Sequence, residues 1–131
     1  MSGYVLDHHA VIAGLAGTGS EHHRREVSRL LVSAIDGGPT VAVPALCLAV
    51  TAGVRPAVVG HMAELIASTG SGVITIPGLE RTATLDAVRQ VYPGLDWPAA
   101  HAVAVAIATA VPLITTEPAE YAAVPVDVLD L

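Results

Sequence analysis

The chain contains no phenylalanine, no lysine and no asparagine, and it has one cysteine among 131 residues. A single cysteine excludes an internal disulfide and suits a reducing cytoplasm. Cys47 sits inside the apolar run 41–50, where it reads as a small buried hydrophobe. Positive charge is also scarce. Six arginines stand against twelve acids, a net charge of −6. That is the wrong sign for a protein that grips nucleic acid over a broad surface by neutralising phosphates. The amino terminus lacks a positive segment leading into an apolar run and a small-residue cleavage site, so no secretory leader is expected. The longest uncharged stretches, 37–54 and 97–116, approach the length of a membrane span. Pro39 and Pro44 divide the first, and Pro98 and Pro112 bracket the helical part of the second. Each therefore reads as a short buried strand joined to a helix, and no membrane segment is expected.

What the chain does have is aliphatic side chains. Hydrophobic residues make up 53% and charged residues 14%, a balance that excludes disorder and predicts elements buried on more than one face. The length fits one domain over residues 1–131. Apolar runs at 3–7, 40–43, 73–76, 113–115 and 126–129 read as strands. Helical patterns span 10–16, 21–35, 44–52, 57–68, 79–91 and 99–110, with 117–121 as a loop. Ser20 is placed to cap the second helix, whose Val27, Leu30, Leu31, Ala34 and Ile35 recur on one face. Short continuous apolar strands separated by helices predict an α/β protein, a three-layer α/β/α sandwich around a central parallel sheet of about five strands.

The first strand, Gly3-Tyr4-Val5-Leu6, ends abruptly in Asp7, followed by His8 and His9. Side chains at strand ends converge in the crevice above a parallel sheet, so Asp7 is a candidate site residue; its other reading is a cap for the next helix. Asp96 has the same two readings, since it precedes Trp97-Pro98 at a helix start. His101, alone on an apolar helix, is either a metal or catalytic ligand or a core histidine with a hydrogen bond. Arg24, Arg25 and Arg29 beside His22 and His23 form the densest basic patch, either a small phosphate-facing stripe or a solvated helix face. The pairs His8-His9 and His22-His23 raise the question of zinc. Neighbouring histidines point in different directions, however, and no Cys or His pair has ligand spacing.

In their order along the chain, several strings resemble the PIN domain, the nuclease fold of VapC-type toxins. Tyr4-Val5-Leu6-Asp7 resembles its opening strand and first acid, and Val43-Pro44-Ala45-Leu46-Cys47-Leu48-Ala49 the approach to its second. Leu113-Ile114-Thr115-Thr116-Glu117, with Pro118 and Tyr121, is similar to its fourth strand, and Pro125-Val126-Asp127-Val128-Leu129 to its close. The resemblance covers nearly the whole chain. It implies RNA cleavage by three or four carboxylates holding one or two Mg²⁺ or Mn²⁺ ions. Carried over residue by residue, the first acid is Asp7 and the fourth Glu117, with Thr115 as the hydroxyl that orients the acids and His9 beside the first. The second falls on Val50 and the third on Ala99 or His101, neither of which is an acid; Asp96 lies one turn before.

Three functions follow from that count. The first is a PIN-like protein with a degenerate ribonuclease site that acts by binding RNA or protein. The second is a VapC-like Mg²⁺/Mn²⁺ endoribonuclease toxin with a site rebuilt from Asp7, Asp96, His101 and Glu117. The third is a dimerising scaffold. The resemblance also implies a homodimer and an antitoxin-like protein partner, and the arginine patch offers a local contact for RNA.

Overall fold

Why the chain turns where it does is a matter of caps and glycines. The computed structural model describes residues 2–131. The strand β1 (Gly3–Leu6) runs straight into α1 (His8–Leu15), because Asp7 takes the extended conformation and its Oδ1 accepts the Ala10 N–H at 2.9 Å. The helix thus starts two residues before the expected Ala10. Next, α2 (Glu21–Ile35) opens with a full capping box: Ser20 Oγ accepts the His23 N–H, and His23 Nδ1 accepts the Ser20 N–H. Its inward face holds Val27, Leu30, Leu31 and Ala34, whereas Ile35, expected in the core, is 43% exposed. The helix ends at that residue, and the turn to Gly37 carries it outward.

β2 (Thr40–Ala42) leads to α3 (Ala45–Val54), which runs through Gly53 instead of stopping there. A side chain at Gly53 would meet only open space, so nothing packs against the helix at that point. α4 (Ala57–Ser68) begins after Pro56 as expected and is followed by the two-residue β3 (Ile74–Thr75). α5 starts at Thr82 and ends at Val91, later than the expected Leu79, which is half exposed outside the helix. α6 (Trp97–Thr109) is capped by Asp96, whose Oδ1 accepts the Ala99 N–H. β4 (Leu113–Thr115) runs into a 3-10 turn (Pro118–Tyr121) where a loop was expected. β5 (Val128–Asp130) starts two residues later than expected.

The sheet is parallel throughout, in the order β3-β2-β1-β4-β5, with six helices around it. This is the three-layer α/β/α sandwich read from the sequence. β1 lies in the middle, and its Val5 and Leu6 are at most 1% exposed. Burial on both faces leaves the central β1 and β4 no polar side to show, which is why they are continuous apolar runs, whereas the edge strand β5 is part-exposed. Eight successive residues of α6, Ala99–Ala106, are buried. Alanine has the highest helix propensity and the slimmest side chain, so this helix can be enclosed by α3, α5 and the sheet together. At Gly14 the packing of α1 on α2 is close enough that a Cβ would lie 2.3 Å from Val27 Cγ2.

Among the described residues, no helix is long and apolar enough to cross a membrane.

Candidate functional site

From β1 the chain moves outward to β2 and β3, and it returns through β4 on the other side of β1. The strand order therefore reverses between β1 and β4, and in open parallel sheets the crevice over the carboxyl ends at such a reversal is where ligands bind. Asp7 and Thr115 stand at that point. The Asp7 N–H donates to Ile114 O at 3.3 Å, one residue before Thr115.

Asp7 is fully buried. Its Oδ1 caps α1, and its Oδ2 accepts a 2.6 Å hydrogen bond from the Tyr121 hydroxyl across 114 residues of sequence. Burial, reinforced by the Asp7 carboxylate, pushes the Tyr121 phenol far above its usual range, so it remains a donor. Behind Asp7, the His8 side chain is 6% exposed, with Nε2 3.9 Å from Asp96 Oδ2 and Nδ1 4.0 Å from Cys47 Sγ. Burial lowers the His8 pKa, and the neighbouring His9 lowers it further. His9 Nε2 forms an ion-pair contact with Glu120, yet that nitrogen is shut off from solvent and has no hydrogen-bond partner. The two rings lie 4.1 Å apart, tilted by 36°. Thus the two histidines do not diverge as the sequence suggested; at the first turn of α1 both rings reach the carboxylate before them.

Asp7, His8 and His9 form a group that can hold a metal ion, each offering one ligand atom, all within 4.8 Å of one another. Of the other residues singled out from sequence, Asp96 caps α6 and reaches the edge of this group through His8. Thr115 is buried, and its Oγ1 accepts the Glu117 N–H at 3.0 Å, fixing the turn that follows β4. Glu117 is exposed and outside the Asp7 group. Glu120, three residues on, is the acid that meets it. His101 is also outside the group. Its Nδ1 accepts the Leu46 N–H at 3.3 Å and its Nε2–H donates to Gly78 O at 3.0 Å, which ties the start of α3 to the segment before α5. Burial lowers its pKa, against a smaller opposing effect of the Gly78 carbonyl. It borders an apolar cavity of about 180 Å³ lined by Leu85 and Val105, smaller than ordinary ligand pockets. Val50 is exposed on α3, and Ala99 is buried without a polar atom.

Cys47 is an unreactive thiol. It is buried, donates to Pro98 O at 3.2 Å, and desolvation pushes its pKa well above the ordinary thiol value. The arginine patch is largely matched within its own surroundings. Arg24 donates to Gly19 O, Arg25 pairs with Glu21 at 3.5 Å, and Arg29 meets Glu26 through two hydrogen bonds of 2.9 and 3.1 Å.

A parallel sheet in this order with helices on both faces defines a doubly wound three-layer α/β/α fold, with an acid at its strand reversal. No protein-family model matches the chain, and no curated protein matches it in sequence. Among solved structures it is similar to the crystal structure of FitAcB from Neisseria gonorrhoeae, with 15% identity, 96% of each chain covered and a TM-score of 0.62. At that identity the likeness shows the fold, and the fold is PIN-like.

A PIN-like fold implies Mg²⁺ or Mn²⁺, and the donors present can be tested against these ions. Mg²⁺ requires hard oxygen ligands in near-ideal octahedral geometry. The group offers one enclosed carboxylate and two imidazoles. This set does not fit Mg²⁺.

Proposed function

We propose that this chain is a PIN-like protein whose metal-dependent ribonuclease site has decayed, and that it acts by binding a partner. One observation carries the reading: the ligand group at the strand reversal holds one acid and two histidines instead of a carboxylate cluster, and Asp96 and Glu120 meet it only through those histidines. In-line phosphodiester cleavage relies on cations that clamp the attacking and leaving oxygens. One carboxylate and two imidazoles supply too little negative charge to hold two such ions. Val50, where the resemblance implies the second acid, and Ala99 or His101, where it implies the third, offer no carboxylate.

Binding by a partner is supported by Val50 and Val54 on α3 and Val59 on α4, which are 39%, 50% and 42% exposed. A second copy of the chain and an antitoxin-like protein are the partners that the resemblance implies. RNA is less well supported, because the arginines that would meet phosphates already have partners. The test is an RNase assay on the purified chain with Mg²⁺ and then Mn²⁺. The expected outcome is no turnover; multiple turnover that vanishes in Asp7→Asn would overturn the proposal.

The competing reading is an active Mg²⁺/Mn²⁺-dependent toxin rebuilt from Asp7, Asp96, His101 and Glu117. Only the approach of Asp96 to His8 favours it. The same assay on Asp96→Asn decides it, since a rebuilt site would lose its turnover with that change.

A further inference from the structure

We infer that Asp7, His8 and His9 form a mixed nitrogen and oxygen site for a borderline divalent cation, Zn²⁺ or Co²⁺, held in preference to Mg²⁺. This deepens the reading of a decayed ribonuclease crevice and rests on it. The loss of the acids did not leave the crevice empty of ligands; it changed their kind.

The first ground is that the imidazoles are unspent. A buried histidine normally satisfies both ring nitrogens, as His101 does with Leu46 and Gly78. His8 does not, although its side chain is only 6% exposed. Its Nε2 is 3.9 Å from Asp96, beyond hydrogen-bond reach, and its Nδ1 has only the soft contact with Cys47 Sγ at 4.0 Å. That sulfur has directed its own proton to Pro98 O, so it is free to accept. The tautomer protonated at Nδ1 faces it and leaves the Nε2 lone pair for the crevice. His9 Nε2 is likewise closed to solvent and without a hydrogen bond. His9 Nε2 meets the Glu120 carboxylate in a contact that is not a hydrogen bond, and His8 Nε2 stands 3.9 Å from the Asp96 carboxylate; two imidazole nitrogens beside Asp7, each with a further acid next to it, are surroundings that favour a nitrogen-accepting cation.

The second ground is geometric. Around a tetrahedral ion with bonds of about 2.1 Å, ligand atoms lie roughly 3.4 Å apart. The donor atoms here fall within 4.8 Å of one another, so small side-chain rotations close the set. Asp7 needs no reorientation. Its two hydrogen bonds, from the Ala10 N–H and the Tyr121 hydroxyl, occupy one lone pair on each oxygen and leave one on each. Outer partners of this kind fix the direction of a ligating carboxylate. Glu120, next to His9 and 42% exposed at its side chain, is the nearest further oxygen donor.

The third ground is chemical. Imidazole suits Zn²⁺ and Co²⁺, whereas Mg²⁺ is served by oxygen alone; within one nitrogen-containing site affinity rises from Mn²⁺ towards Co²⁺. A group with two imidazoles and one carboxylate lies toward the cobalt and zinc end of that series.

The full chain, stripped with chelator, is titrated with Co²⁺ and read by visible absorption, then challenged with Zn²⁺ or Mg²⁺. One equivalent of Co²⁺ is expected to give ligand-field bands that Zn²⁺ abolishes and millimolar Mg²⁺ leaves in place. His9→Gln alters a part-exposed side chain, and His8→Gln a buried one; each is expected to weaken Co²⁺ binding by at least about tenfold, with circular dichroism confirming the fold. The double change of His22→Gln and His23→Gln, which keeps a capping-box side chain at residue 23, should bind as the parent does. Displacement by Mg²⁺, unchanged affinity in folded His9→Gln, or loss of binding only in the residue 22 and 23 variant would each overturn the inference. RNA turnover in Mg²⁺ with the Co²⁺ site intact would overturn only the decayed-ribonuclease reading. Absence of both turnover and Co²⁺ binding would overturn only this one.

Discussion

Tyr121→Phe is the sharpest perturbation of the crevice, because it deletes one oxygen and leaves the ring in place. Tyr121 is 2% exposed and Asp7 fully buried, so water cannot take over the lost bond. The bond is short, 2.6 Å from a phenol to a carboxylate, and hydrogen bonds to charged groups contribute about 1.5–3 kcal/mol each. Asp7 keeps its bond from the Ala10 N–H, so α1 stays capped and the loss is confined to Oδ2. For 131 residues, that cost lowers the melting temperature by roughly 5–11 °C. Thermal unfolding followed by circular dichroism measures the shift, and a double-mutant cycle with Asp7→Ala assigns it to the pair. A Tyr121→Phe protein that melts within about 1 °C of the parent would refute the argument, as would a cycle with no coupling energy.

Two further outcomes follow from the packing. His101 has a lowered pKa in the folded chain, so folding favours its neutral form; its contribution to stability is complete above the unfolded value of 6.5 and is lost as pH falls through the folded value. Urea midpoints should therefore drop between pH 7 and pH 5, and drop less in His101→Gln; parallel profiles for the two proteins would exclude the effect. Gly14→Ala should destabilise the chain by about 1–3 kcal/mol despite alanine's better helix propensity, because the new methyl would sit 2.3 Å from Val27 Cγ2. Val27→Ala in the same chain should restore part of the loss, and a more stable Gly14→Ala single variant would contradict the packing.

Much of this architecture was legible in the sequence because its signals are local. The strands are apolar runs bounded by turns, Ser20 and Asp96 announce helix starts, and Pro56 marks the entry to α4. Of the candidate site, Asp7 was the most legible, as a carboxylate closing an apolar strand. Its hydrogen bond to Tyr121 spans 114 residues, and those of His101 span 55 and 23; no periodicity encodes such contacts. The resemblance of Leu113-Ile114-Thr115-Thr116-Glu117 to a fourth strand with its acid pointed to Glu117; the acid in contact with His9 is Glu120, carried there by the 3-10 turn, which no local pattern announces. The histidine pair was misjudged for a geometric reason. Successive helical residues diverge by about 100° on the helix wheel, yet at the first turn both rings still converge on Asp7.

The double engagement of Asp7 has an evolutionary consequence. Substituting an acid that serves only chemistry leaves the fold undisturbed once the chemistry is dispensable, so such positions drift freely. Asp7 cannot drift in that way, because the same carboxylate starts a helix and anchors a side chain from the far end of the chain. An acid held in this way stays under structural constraint whether or not the chain has chemistry to perform. In this chain, an aspartate at residue 7 speaks first for the fold and not by itself for RNA cleavage.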